Sequence, residues 1–556
     1  MAFEPDLREP GLLEPGLLEP GLLGLLPAHR PRLLALGEPT HLEPAFPRLR
    51  NQILRTLAGH GFRSVAIESD RVAALAVDDY VRWRTDSLDL PSGLSHGLGH
   101  LAGNRELVEW MRAWNADRPA ADRLSFHGFD APLEMMHATS PGPHLRHLRD
   151  YLGVPAATDG LDGLDGLLGD EARWSESAAV MDAARSPGGS PEAAALRALA
   201  DDLLTRLYGD APRLIRQTSV ADWHRARIHG TAALGLLRYH AVAAVAGPQD
   251  QRVRRLLGTR DALMAQNLLD ILEAEHDRGP VLVFAHNRHL QRHPSTWVLA
   301  GMDLEWPSAG SIVASLIGER YVFVAGSLGA SPALGLDAPG PASMEGRLGA
   351  GTGLFQPGQV TGEERVTDEL RYFPLDAGTV TACEAILHVG TGDDPAGEMA
   401  ARILALPGVA ATRIEPDSGM PEYTWGDRFF FAGEDRMRPF ATIVGHDVPG
   451  FDTESRLDRP YAWRLNLELG RDEFRRMFGF GPEELAERRS GIDFTEADRF
   501  VPHPAYGVQG WGSVVNPGPA TAAEIARLLE YARSRSAARA PSTARSRHAA
   551  GRPEPA

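Results

Sequence analysis

The stretch from Leu33 to Asp70, LLALGEPTHLEPAFPRLRNQILRTLAGHGFRSVAIESD, reads as strand, loop, helix, strand, and it decides the fold class. Apolar LLAL runs into Gly37-Glu38-Pro39-Thr40-His41, a helical period follows, and the β-branched run SVAI closes the unit. Thr40 and Glu43 have capping-box spacing, and Pro44 is tolerated in a first helical turn. His41 is therefore expected at the carboxyl edge of a strand beside a helix amino terminus, where open α/β sheets bind their ligands. Glu43 and Arg50, seven residues apart, share a helix face in this reading, which turns the Arg50 guanidinium back toward the loop. SVAIESD delivers Glu68 to the corresponding end of the next strand.

Working outward, RLSFHGFD, PVLVFAHN, RYVFVAGS and EAILHVGT repeat the pattern of a short apolar run followed by a loop. Strands alternating with helices imply an α/β fold, a largely buried sheet flanked by helices. From about Leu101 to Glu275 long helical stretches dominate, NRELVEWMRAWN, AALRALADDLLTRLYG and RDALMAQNLLDILEAE among them, and imply a helical lid subdomain. After about Pro395 the strands WGDRFFF, PFATIV and RLNLELG and the helices DEFRRMFG and AEIARLLEYARS point to a smaller α+β domain. The EPGLL triplet of residues 9–23 fits neither helix nor strand period, and the Arg-, Ser- and Pro-rich end from Arg533 has almost no apolar side chains. The expected organisation is an irregular leader over 1–30, the main domain over 31–398 with its lid at about 101–275, a second domain over 399–537, and a disordered basic tail over 538–556.

At 556 residues the chain is long enough for several domains. Its net charge of -17 argues against neutralising nucleic-acid phosphates. Cys383 is the single cysteine, so no internal disulfide forms and a reducing, cytoplasmic setting fits. No signal-peptide pattern and no membrane-length apolar run is present, so no membrane partner is expected.

A second cluster, His286-Asn287-Arg288-His289, follows the apolar strand VLVF, and imidazoles at i and i+3 converge if a helical turn starts there. Together with Glu38, His41, Glu68 and Arg50 it makes a polar site at strand ends. Rival motifs are weaker. Ser95 in GLSHG has no strand before it, Ser327 in AGSLG has no helix after it, and Cys383 reads as a small buried side chain. No phosphate-binding or dinucleotide-binding glycine pattern stands in the right context.

The ordered set GEPTH, Arg50, VAIESD, FHGFD, FAHNRHLQ and AILHVGT resembles the erythromycin esterase family over roughly Pro31 to Pro395. The resemblance implies an α/β core with a helical lid over a cleft, and hydrolysis of an ester or macrolactone without a serine nucleophile, with macrolide resistance as a setting. It also implies that His41 is the general base and that Glu38, Glu68, Arg50, His286 and His289 line the cleft. TWGDRFFF, PFATIVGHDVPGFD, RLNLELGRDEFRRMFG and PHPAYGVQGWGSVVNP resemble a domain family of no known activity, DUF6194, over about 399–537. His503, Trp425, Asp427 and Trp511 in it offer a polar-aromatic pocket, with packing in the domain core the favoured role for them.

The leading reading is metal-independent: His41 takes a proton from water, Glu38 or Glu68 orients the imidazole, and His286 or His289 with Arg50 donates to the oxyanion. No cofactor is required, and the substrate is a small ester or lactone. A second reading places a divalent metal between His41, Glu68 and the HNRH imidazoles. A third is a non-catalytic protein that binds a small molecule, metal or haem.

Overall fold

In a computed structural model of the protein, the described residues are 21–26, 30–134, 137–154, 163–369, 371–415, 418–432, 438–459 and 462–539. β1 (Leu33–Glu38) is buried at all six residues, as a strand covered on both faces must be. It belongs to a seven-stranded sheet with β2 (Ser64–Asp70), β3 (Ser125–Asp130), β4 (Val281–His286), β5 (Tyr321–Ala330), β6 (Gly353–Phe355) and β7 (Ala385–Thr391), in the order β6-β7-β5-β1-β4-β2-β3. All pairs are parallel except β6 with β7. The register sets Glu38 beside His286, and Ile67 beside Phe284, so the carboxyl ends of β1, β4 and β2 form one edge.

Helix Ala45–Ala58 joins β1 to β2 and buries Phe46, Leu49, Ile53, Leu54 and Leu57. The expected capping box does not form. The helix begins at Ala45 behind Pro44 without a side-chain cap, so Glu43 lies outside it. The Glu43 carboxylate accepts from the backbone amides of Ala45 and Asp393 and from the Ser331 hydroxyl, and Thr40 Oγ1 accepts from the Leu42 amide.

The helical segment also divides differently from the expected lid at 101–275. Helix Ala102–Asn115 packs on helices Ala45–Ala58 and Ala74–Val81, and β3 closes the sheet, so both belong to the core. The lid proper is built on helices Gly142–Leu152, Pro191–Gly209 and Val220–Ala243, around Leu145, Trp174, Leu196 and Leu237 and around Leu148, Leu203 and Trp223. Helix Gln249–Ala274 serves both layers: Leu256 and Leu263 pack with lid residues, while Met264, Leu268, Ile271 and Leu272 pack with Leu33, Val281 and Val283 of the sheet. Helical periodicity identifies a buried stripe but not the surface that buries it.

Gly37 allows a close approach that holds the site edge together. The Asn287 side chain passes over it to bond both the amide and the carbonyl of Gly326, at 2.9 and 2.8 Å. A Cβ at Gly37 would stand 2.1 Å from Asn287 Oδ1. Gly37→Ala should therefore cost about 1–3 kcal/mol of stability, read as a lower denaturant midpoint; an unchanged midpoint would show that this clamp carries no stability.

Residues 21–26 are helical, with Leu22 and Leu25 buried, so this end of the leader is not irregular; residues 9–20 of the EPGLL repeat lie outside the described residues. The chain divides into two compact units at Asp393–Asp394. The second contains an antiparallel six-stranded sheet in the order Val409–Arg413, Arg428–Ala432, Ala441–Val444, Arg464–Glu468, Trp511–Val515, Phe500–Pro502. One face packs through Phe430, Ile443, Leu465 and Leu467 on Ile403, Phe474, Ile525 and Leu528 of its helices, which is the α+β pattern expected. Its last helix, Ala522–Arg539, runs through 538 and 539, the first two residues of the tail expected to be disordered; 540–556 lie outside the described residues. Among the described residues no helix is long and apolar enough to cross a membrane.

Candidate active site

Glu38 is the last residue of β1, Glu68 lies near the end of β2, and His286 ends β4, so parallel pairing alone brings them to one edge. The loop after β1 folds His41 back so that its Nδ1 meets Glu38 Oε1 at 2.7 Å, while its Nε2 faces Glu68 Oε1 at 3.6 Å. Glu38 and Glu68 are buried, whereas the His41 side chain keeps 37% of its surface open. The short helix Asn287–Leu290 then turns His289 toward the same carboxylate, with Nε2 3.3 Å from Glu68 Oε1.

His286 is brought to the cluster, its ring edge-on to His41 at 5.4 Å, but both of its nitrogens meet backbone. Its Nε2 donates to the Pro39 carbonyl and its Nδ1 accepts from the Arg288 amide. The His286 amide in turn donates to Glu68 Oε2 at 3.0 Å. Arg50 lies behind the site. It is fully buried over the Phe284 ring and donates to Asn51, Asn104 and the Gly103 carbonyl, so it reaches Glu38 through its charge alone.

Four residues absent from the sequence reading of the site complete it. Asp261 accepts from His289 Nδ1 at 3.0 Å and from Trp306 Nε1 and the Ala309 amide. Its neighbour Arg260 donates from Nε and Nη2 to Asp130, and Nη2 also stands 3.3 Å from Glu68 Oε1. Asp130 ends β3 and also meets His96 Nε2 at 3.0 Å. The strings GLSHG, FHGFD and RDALMAQN carry these residues, but no local pattern in them marks His96, Asp130, Arg260 or Asp261 for the site.

The electrostatics follow from this crowding. Loss of solvation pulls the His41 imidazole down, but the Glu68 charge and the Glu38 hydrogen bond outweigh it and raise the pKa to about 10. His289 is likewise raised to about 10 against burial, by Asp261 and Glu68. Burial would raise Glu68, yet the His289 and His41 charges hold it well below the usual carboxylate range. Glu38 is raised by burial. His286 is pushed well down by burial and by the His41 charge, so it is neutral.

The rival nucleophiles are differently engaged. Ser95 Oγ accepts from the Asp70 amide, with His96 turned to Asp130 and Glu134. Ser327 bonds His388 Nδ1 at 2.8 Å, but both side chains are sealed inside the sheet. Burial pushes the Cys383 thiol up to about 12. Among the described residues no group of three or more His, Cys, Asp or Glu is arranged to hold a metal ion; His41 and His289 instead turn their Nε2 atoms to one oxygen of Glu68.

In the second unit two of the four suggested residues meet, the His503 amide donating to the Trp511 carbonyl at 2.9 Å, and the side chains are tied into their own surroundings. His503 Nδ1 accepts from the Ala505 and Tyr506 amides, Asp427 accepts from the Gly445 amide, and Trp425 donates to the Met420 carbonyl. A buried Arg464–Asp452 pair stands beside His503 instead.

A largely parallel sheet with a histidine–carboxylate cluster at its carboxyl edge, beside a helical lid, is the arrangement in which α/β proteins place a ligand site. The erythromycin esterase family matches residues 57–388, and the chain belongs to that family. The match begins after Glu38, His41 and Arg50, so these three join the site through β1 and the helix after it. The second unit matches DUF6194, a family of unknown function, over residues 395–546. Among solved structures, a protein from Bacillus cereus is similar at 16% identity and a TM-score of 0.50, covering 68% of this chain and 94% of its own. A histidine mutant of the erythromycin esterase EreC in its open conformation aligns at 18% identity and a TM-score of 0.49, covering 67% and 94%. A search of curated proteins returns no match.

Proposed function

We propose that the first unit hydrolyses a carboxylic ester or macrolactone, with His41 as the base that activates water. The observation that carries this reading is the His41 ring itself: open to solvent on one side, gripped at Nδ1 by Glu38, and presenting Nε2 beside Glu68. Neutral His41 takes a proton from water as the oxygen bonds the ester carbonyl carbon, and the resulting imidazolium returns that proton to the departing alkoxide. Glu38 holds the tautomer with hydrogen on Nδ1 and stabilises the cation. The His289 imidazolium supplies positive charge at this edge for the oxygen that becomes negative. Family membership supports the reaction class, and a macrolide is the substrate proposed first.

The test is mass spectrometry of a panel of macrolides and simple esters incubated with the protein, with and without a chelator. The expected product gains one water in both conditions. Activity lost on chelation and restored by a divalent ion would overturn the metal-free mechanism; no product from either class would overturn hydrolysis.

The pH dependence has a definite sign. A base raised to about 10 is mostly protonated near neutrality, so kcat/KM should climb with pH, tenfold per unit, and level near pH 10. A profile flat from pH 6 to 9 would move the base from His41 to the Glu68 carboxylate.

A further inference from the structure

Helix Gln249–Ala274 contributes two adjacent side chains to the site, and they do different things. Asp261 fixes His289, whereas Arg260 stands between two buried carboxylates from separate strands. On one side it meets Asp130 through Nε and Nη2, a planar fork on a carboxylate. On the other, Nη2 reaches Glu68 Oε1.

Asp130 cannot follow Arg260 if that arginine moves. Its oxygens also accept from the Ala131 amide and from His96 Nε2, and His96 is locked at its other nitrogen by Glu134, 2.9 Å away. His96 is held in left-handed backbone, φ +57°, an uncommon conformation for a residue with a Cβ. The GLSHG loop, whose serine is no nucleophile, thus braces the far end of the Arg260 network. Glu68 is the adjustable member: it lies between a partly open imidazole, His41, and two anchored cations, Arg260 and His289. Without Arg260, the Oε1 atom has less to hold it away from His41 Nε2, 3.6 Å distant, and a direct His41–Glu68 contact would occupy the nitrogen that must face water.

We infer that Arg260 is a positioning residue: braced by Asp130 and His96, it holds Glu68 in the pose that leaves His41 Nε2 available, and it thereby ties the helix shared with the lid to the reacting edge of the sheet. The inference rests on the hydrolytic reading above, but its pose component can be read without any substrate. The His286 amide donates to Glu68 Oε2, so its hydrogen exchange reports where Glu68 is.

The experiment compares wild type, Arg260→Gln, and Arg260→Gln/Asp130→Asn, the last also removing the buried charge whose arginine partner the single change takes away. Amide exchange at single-residue resolution should accelerate at His286 at least about tenfold in both variants, with Val283 in the middle of β4 unchanged. With any ester that wild type turns over, kcat should fall about 10- to 100-fold with KM little altered, the usual range for residues that orient a reacting group. Unchanged His286 exchange in a folded variant overturns the inference, as does unchanged kcat. If wild type hydrolyses nothing, accelerated exchange still supports the Arg260–Glu68 tie, and the hydrolytic reading fails separately.

Discussion

His41→Gln should abolish measurable turnover, a loss of about 10²- to 10⁴-fold, with the fold intact. Glutamine can still donate to Glu38 Oε1, so the buried carboxylate keeps a partner, and the site loses only the nitrogen that accepts water's proton. His41→Ala should lose as much activity but take from Glu38 the hydrogen bond at Oε1; among the described residues Glu38 Oε2 has no partner, and the acid would go neutral. His41→Gln should melt closer to wild type than His41→Ala, because glutamine keeps the hydrogen bond to buried Glu38. The measurement is the yield of hydrated product against a melting curve. Activity retained in either folded variant would remove His41 from the role.

Glu68→Gln should be the most destabilising single change in the site, by about 3 kcal/mol. One oxygen of Glu68 faces His41, His289 and Arg260, and the other accepts from the His286 amide. Removing its charge leaves buried cations with half their compensation. The pH dependence identifies the cause. Glu68 is held below its usual value in the folded protein, so its contribution is present above the unfolded pKa and is lost as pH falls through the folded one. The gap in stability between wild type and Glu68→Gln should therefore narrow in acid. A gap independent of pH would mean that lost packing, not lost charge, is responsible. In the same variant the acid limb of kcat/KM should move from about pH 10 toward neutrality, since the main charge raising His41 is gone.

Residues at strand ends were legible because their positions follow from local pattern. LLALGE, SVAIESD and VLVFAH each carry their own apolar run and end in a polar residue, so Glu38, Glu68 and His286 could be assigned to one edge before any pairing was known. HNRH needed only a helical turn to aim His289, and the structure contains that turn. Arg50 shows the limit of the same reasoning. Its spacing from Glu43 assumed a helix starting four residues earlier, behind a Thr40 cap, and with the helix beginning at Ala45 the guanidinium meets Asn51, Asn104 and the Gly103 carbonyl.

The chain by itself therefore determined the α/β layering, the two-unit order and the polar edge, since strand and helix periods are written in neighbouring residues. Tertiary structure alone decided how that edge is charged. Arg260 and Asp261 meet Glu68 and His289 from a helix far away in sequence, and Asp130 and His96 arrive from two further segments. A helical stripe specifies that a face is buried, but a charge on it acquires its partner only when a second element supplies the opposite charge. That choice is made by long-range packing, which no local period records.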